Sequence, residues 1–171
     1  MSDLPKRKNV RLKDYDYGTI GGYFITICVK NRRNLLGKPV GSRISGEPVG
    51  RAVHVAPCVQ LSKYGRTVDK HIKIINSLNK NVIVDKYIIM PNHIHLIILL
   101  DSVSGATNTA RPTIPKLMRT FKSVVSKEVG FSLWQTSYYD RIIRDYDEYC
   151  EIWKYIDENP FKWAEDEYYS D

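Results

Sequence analysis

The stretch VIVDKYIIMPNHIHLIILL, residues 82–100, decides the fold. It divides into two apolar runs, Val82–Met90 and His93–Leu100, separated by the turn dipeptide Pro91-Asn92. Two strand-like runs around so short a turn predict an antiparallel hairpin. Alternation along the second run puts Ile94, Leu96, Ile98 and Leu100 on one face, wholly apolar and therefore the core side. His93, His95, Ile97 and Leu99 fall on the other face, with the two imidazoles side by side.

Working outward, each side of this hairpin carries a helix and then a strand. Upstream, Ser62–Leu78 has an apolar stripe of Leu61, Tyr64, Val68, Ile72, Ile75 and Leu78 at helical spacing. Before it, Tyr23–Val29 (YFITICV) is β-branched and aromatic and reads as a strand. Downstream, Thr113 can cap a helix with Pro115 in its first turn and Ile114, Leu117, Met118, Phe121, Val124 and Val125 along one side. Ser137–Ile143 reads as a fourth strand. Tyr146–Glu158 reads as a last helix that buries Tyr146, Tyr149, Cys150, Trp153 and Ile156 and stops at Asn159-Pro160. The order predicts an α+β fold, a ferredoxin-like split βαβ with an antiparallel sheet and helices on one face, plus a C-terminal helix. The expected organisation is a basic arm at 1–22, one domain at 23–163 and an acidic tail at 164–171. Within the domain, residues 37–60, with four glycines and three prolines, are expected to form a long loop.

The chain has 171 residues and a formal net charge of +7, an average that hides a sharp asymmetry. Residues 145–171 hold ten acids against two bases, leaving a balance of +15 on the remainder. A body that basic fits a polyanionic partner, most often nucleic acid. The longest apolar run is the five residues Leu96–Leu100, which excludes a membrane span. No secretory signal is read at the N-terminus, and three cysteines without C-x-x-C spacing argue against a disulfide framework or a zinc knuckle. The expectation is a cytoplasmic protein.

Two groups of residues invite chemistry. His93 and His95 are spaced to share one cation, although two satisfied strand histidines would look the same. On the last helix Tyr155 falls off the expected apolar stripe, with Asn159 about 40° further round. The pair could project into a site, or Tyr155 could be an ordinary surface tyrosine.

These residues carry a family likeness. Pro91-Asn92-His93-Ile94-His95 resembles the His-hydrophobic-His motif of the single-strand DNA transposases that use one catalytic tyrosine. Leu133-Trp134-Gln135, Tyr139-Asp140-Arg141-Ile142-Ile143-Arg144 and Tyr155-Ile156-Asp157-Glu158-Asn159-Pro160 resemble the branch called REP-associated tyrosine transposases. Phe24-Ile25-Thr26 and Asn31-Arg32-Arg33 also fit, and the likeness runs from about residue 11 to residue 163.

The resemblance implies a metal-dependent single-stranded DNA endonuclease and strand transferase that cleaves at hairpin elements through a 5′-phosphotyrosine. Tyr155 would be the nucleophile, and His93, His95 and Asn159 would hold Mg²⁺ or Mn²⁺. The partner would be single-stranded DNA with a hairpin like a repetitive extragenic palindrome, met by a monomer in preference to a dimer. Lys30, Arg32, Arg33, Arg119, Lys122, Arg141 and Arg144 are the expected DNA contacts, with Trp134 either stacking on a base or part of the core. The competing reading is a domesticated protein that grips hairpin DNA or RNA without cutting it.

Overall fold

In a computed structural model, residues 15–40, 58–78, 81–101 and 112–169 are described. Residues 1–14 of the expected arm, 41–57 of the expected loop and 102–111 between the hairpin and the helix capped by Thr113 lie outside them. The chain forms β1 (Gly21–Cys28), β2 (Gly37–Val40), β3 (Cys58–Leu61), α1 (Lys63–Leu78), β4 (Val82–Ile89), β5 (His93–Leu100), α2 (Ile114–Val129), β6 (Tyr139–Ile143) and α3 (Tyr146–Glu158). No helix among the described residues is long and apolar enough to cross a membrane.

The hairpin is present: β4 and β5 pair antiparallel and the Met90 N–H returns to the carbonyl of His93 at 2.9 Å. The main sheet has the order β4-β5-β1-β6, and every pairing in it is antiparallel. β5 is thus inserted between β1 and β4, the two strands that α1 connects, the interleaving that splits a βαβ unit. One face of the sheet carries Tyr23, Ile25 and Ile27 of β1 with Ile94, Leu96 and Ile98 of β5. It packs on Val68, Ile72 and Ile75 of α1 and on Ile114, Met118, Phe121 and Val125 of α2. This is the main core. The opposite face is covered by α3, where Ile152 and Ile156 meet Ile97 with Phe24, Ile88, Leu99 and Ile143 around them.

The helix ends are set by side chains. Ser62 accepts from the Gly65 N–H at 3.1 Å, Thr113 from the Lys116 N–H at 3.4 Å and Asp145 from the Glu148 N–H at 2.8 Å. Gly130, with φ of 87°, closes α2 in the left-handed conformation.

Two expectations are corrected. Residues 37–60 are not loop throughout, because β2 and β3 pair antiparallel at its two ends. Gly65 lets this ribbon seat on α1, since a Cβ there would stand 2.0 Å from the Leu36 carbonyl oxygen.

The second correction is the rotation of α3. Its buried residues are Glu148, Ile152 and Ile156, whereas Tyr146, Cys150 and Trp153 are exposed. Polar partners, which apolar periodicity does not count, orient this helix. Glu148 pairs with the Arg141 guanidinium and accepts from the Arg144 N–H at 2.7 Å. On the outer side Lys86 Nζ sits 3.5 Å from the centre of the Trp153 ring. Tyr155 and Asn159 come within about 20° of Glu148 round the helix, so they lie on the sheet-facing stripe and not off it.

Candidate metal and nucleophile site

The site begins with strand register. β1 and β5 pair so that Thr26 faces His95 and Cys28 faces His93, on the face opposite the main core. Both histidines are fully buried, and their Nε2 atoms are 3.0 Å apart. Two ligands about 2.1 Å from an ion and at right angles about it are separated by about 3.0 Å, so this spacing suits a shared cation.

Hydrogen bonds settle much of the ring chemistry. The amide nitrogen of Asn92 donates to the carbonyls of Tyr168 (2.7 Å) and Arg32 (3.2 Å), which leaves its oxygen to accept from Nδ1–H of His93 at 2.9 Å. Neutral His93 therefore has a bare Nε2. Nδ1 of His95 is 2.8 Å from the Thr26 hydroxyl, which can accept or donate. When it accepts, both Nε2 lone pairs are free for a metal. When it donates, His95 Nε2–H can bond to His93. Burial pushes the pKa of His93 down to about 3, with the Arg32 charge adding to the effect. Burial, then the neighbouring His93, likewise holds His95 well below the ordinary value. Both imidazoles are neutral at physiological pH, the state a metal ligand requires.

Above the pair stands Tyr155. Its hydroxyl is 3.4 Å from Nε2 of His95, and its ring packs edge-on against His95 and Phe24. The residue is 40% exposed and lines a cavity of about 800 Å³ together with Arg32, Tyr139, Arg141 and Lys162. Burial first, then the charges of Asp166 and Glu167, pushes the phenol up to about 12, against a lowering hydrogen bond from Asn159. Without added positive charge this tyrosine is a poor nucleophile.

Asn159 is buried, and its amide nitrogen donates to Asp166 Oδ2 at 2.9 Å, while its oxygen has no hydrogen-bond partner. A buried, orphaned amide oxygen on a residue that shares the cavity lining with His95, together with two neutral imidazoles, is a donor set that Mg²⁺ or Mn²⁺ accepts, so the residues present fit a divalent ion.

Three residues of this site were not expected from the sequence. Asp166 lies in a set with His93 and His95 whose ligand atoms are all within 4.8 Å of one another. Tyr168, within the expected acidic tail, is buried with its ring 4.7 Å from that of His93. Thr26 could have been found from the pairing of β1 with β5, but nothing in residue spacing marks Asp166 or Tyr168, which follow the break at Pro160.

The expected DNA-contact residues do not form one surface. Arg32 and Arg141 line the cavity. Arg32 and Asn31 both have positive φ, and the Arg32 guanidinium lies over Tyr168 and donates to the Glu167 carbonyl at 3.0 Å. Lys30, Arg33, Arg119 and Arg144 are exposed, but α2 places Arg119 in the helix layer on the other side of the sheet. Lys122 is turned inward and donates to the carbonyls of Gln135 (2.5 Å) and Thr136 (2.8 Å). Trp134 belongs to the core, 4% exposed and packed on Phe121, so it is not available to stack on a base.

No family model matches the chain. An uncharacterized protein of Haemophilus influenzae (strain ATCC 51907 / DSM 11121 / KW20 / Rd) is 34% identical over 184 residues, covering 96% of this chain and 94% of its own. Among solved structures, a REP-associated tyrosine transposase bound to a REP hairpin superposes with a TM-score of 0.59 at 18% identity. The match covers 89% of this chain and 73% of that one, and it is a likeness of fold. A candidate transposase of Deinococcus radiodurans R1 superposes with a TM-score of 0.44 at 16% identity, over 86% of this chain and 95% of its own.

Proposed function

We propose that this chain, which belongs to one family with the Haemophilus influenzae protein and has the fold of a REP-associated tyrosine transposase, is a metal-dependent single-stranded DNA endonuclease and strand transferase. The observation that carries the reading is the Tyr155 hydroxyl 3.4 Å from His95 of a buried, neutral histidine pair, on a cavity whose lining sets Arg32, Arg141 and Lys162 among six acids. A lone surface tyrosine or a satisfied strand histidine has no need of the other.

His93, His95 and the Asn159 amide oxygen are the residues that would hold Mg²⁺ or Mn²⁺. Such an ion supplies Lewis acidity toward a non-bridging phosphate oxygen. Tyr155 Oη forms the new bond to phosphorus as the bond from phosphorus to the 3′ oxygen breaks. The phenolic proton passes to solvent, and the departing 3′ oxygen takes one up. The products are a 5′-phosphotyrosine and a free 3′-hydroxyl. One ester replaces another, so a second 3′-hydroxyl can reverse the step and rejoin strands without ATP. Arg32 and Arg141, lining the same cavity, offer charge to the phosphate backbone.

The substrate class is single-stranded DNA folded into a hairpin like a repetitive extragenic palindrome, engaged by a monomer in the cytoplasm. The test incubates end-labelled hairpin-bearing single strands with the protein and Mn²⁺ or Mg²⁺ and looks for a covalent adduct on a denaturing gel. Adduct in the parent and none in Tyr155→Phe supports the reading. Tight hairpin binding without adduct over a panel of hairpins overturns it in favour of a non-cleaving hairpin-binding protein.

A further inference from the structure

Asp166 is held more firmly than an acid in a charged C-terminal segment ordinarily is. Its side chain is 2% exposed. Oδ1 accepts from the Tyr168 N–H at 2.7 Å, Oδ2 accepts from the Asn159 amide nitrogen at 2.9 Å, and Oδ2 lies 4.0 Å from Nε2 of His93. The segment that presents it is fastened at two further points, where Asn92 donates to the Tyr168 carbonyl and Arg32 to the Glu167 carbonyl. Asn92 is also the residue that orients His93. One amide thus ties the histidine pair to the segment carrying the carboxylate.

Two physical needs of the site meet in this residue. An asparagine can turn either its oxygen or its nitrogen toward a neighbour, and only the oxygen can bind a cation. A carboxylate on the nitrogen side settles the choice. Two neutral imidazoles and an amide also bring no charge of their own, whereas a buried divalent ion needs compensation. Among the described residues, Asp166 is the one acid grouped with the two histidines.

We propose that Asp166 is a positioning residue of the metal site, fixing the Asn159 amide so that its oxygen is the free donor and bringing negative charge to an otherwise neutral ligand set. This rests on the reading of His93, His95 and Asn159 as metal ligands. Groups that orient a ligand in this way typically change metal affinity by about 10- to 100-fold when removed.

The test titrates the full chain with Mn²⁺ and follows free Mn²⁺ by electron paramagnetic resonance, with no DNA present. The expected result is Mn²⁺ binding by the parent, loss of binding in His93→Ala, and binding weaker by about 10- to 100-fold in Asn159→Ala and Asp166→Ala. Asp166→Asn, which keeps size but not charge, should also weaken binding by about tenfold, and Asp166→Glu should recover part of it. The Asn159→Ala/Asp166→Ala double variant should lose less than the two single losses combined, because the two side chains act as a unit. Thermal melting in chelator establishes that each variant folds, and if Asp166→Ala does not, Asp166→Asn decides. Parent-like affinity in Asp166→Asn and every folded Asp166→Ala, with loss in His93→Ala, overturns the role of Asp166 alone. A parent that does not bind Mn²⁺, or a His93→Ala that binds as the parent does, overturns the metal site and this role with it.

Discussion

The hydroxyl of Tyr155 and Nε2 of His95 are 3.4 Å apart, although the two residues come from different elements, α3 and β5, and are 60 positions apart in the chain. The contact adds little to stability, being long for a hydrogen bond, and the ring keeps its packing on Phe24 and His95 without the hydroxyl. Tyr155→Phe should therefore fold with a stability change within about 1 kcal/mol. Covalent adduct should fall by at least about a thousandfold, because phenylalanine lacks the oxygen that the proposed step uses as nucleophile. Chemical denaturation and a denaturing adduct gel together separate these two effects.

Acid should weaken the fold through the histidine pair. Folded His93 stays neutral down to about pH 3 and His95 well below its ordinary value, whereas in the unfolded chain both titrate near 6.5. Between those limits the unfolded chain binds more protons, so stability falls as pH drops below 6.5 and is fully present above it. The slope is about 1.4 kcal/mol per pH unit for each histidine. Unperturbed carboxylates titrate at about pH 4, below the range from pH 6.5 to 5, which makes this the diagnostic window. Urea unfolding at several pH values should show the slope in the parent and its loss in His93→Gln/His95→Gln. An unchanged slope in the double variant would place the acid sensitivity elsewhere.

The hairpin at 82–100, the cap at Thr113 and the burial of the Ile94 face were legible because backbone geometry imposes short periods and fixed cap positions on a sequence. The histidine pair was legible for the same reason, as i, i+2 residues on one face of a strand. The rotation of α3 was not, because a buried carboxylate, Glu148, takes the place where an apolar residue would be counted, and Tyr146 and Trp153 rest outside against Tyr149 and Lys86. Asp166 was not legible either. It reaches the site through the 3-10 turn Trp163–Glu165, and hydrogen bonds from Asn92 and Arg32 hold its segment in place from far along the chain. Such contacts leave no periodic trace.

Replacing Asn159 by aspartate should make the fold metal-dependent. The amide nitrogen now bonded to Asp166 would become an oxygen, setting two carboxylates about 3 Å apart in a buried place. In chelator Asn159→Asp should melt lower than the parent, with a loss of about 1–3 kcal/mol. Added Mn²⁺ should raise its melting temperature by more than it raises the parent's, because binding energy adds to the folded state alone. Equal shifts in both proteins would remove Asn159 from the ligand set. Calorimetry with and without the metal measures this directly.

Glu148 should matter for stability without touching the chemistry. Its buried carboxylate joins β6 to α3 by pairing with Arg141 and accepting from the Arg144 N–H. Glu148→Ala leaves that N–H and the guanidinium without their acceptor, at a cost of about 1–3 kcal/mol, with half-exposed Arg141 free to recover part of its solvation. Unfolding by urea measures the loss, and the Mn²⁺ affinity of the folded fraction should stay within about twofold of the parent, below the change expected for an orienting group.

Lys122 and Arg141 test which basic residues hold the protein together and which would meet DNA under the proposed function. Lys122 bridges α2 to the carbonyls of Gln135 and Thr136, next to the buried Trp134. Its charge serves the fold, so Lys122→Met should lower stability by about 1–3 kcal/mol, as for other hydrogen bonds to a charged group. It should leave the salt dependence of hairpin binding unchanged. The Arg141 side chain, at the cavity wall, is 59% accessible even though it is paired with Glu148. If it neutralises one phosphate of a single strand, Arg141→Gln should reduce the slope of log affinity against log salt by about 0.7. Binding titrations over a range of salt concentrations give both slopes. A reduced slope in Lys122→Met with a parent-like slope in Arg141→Gln would reverse the assignment.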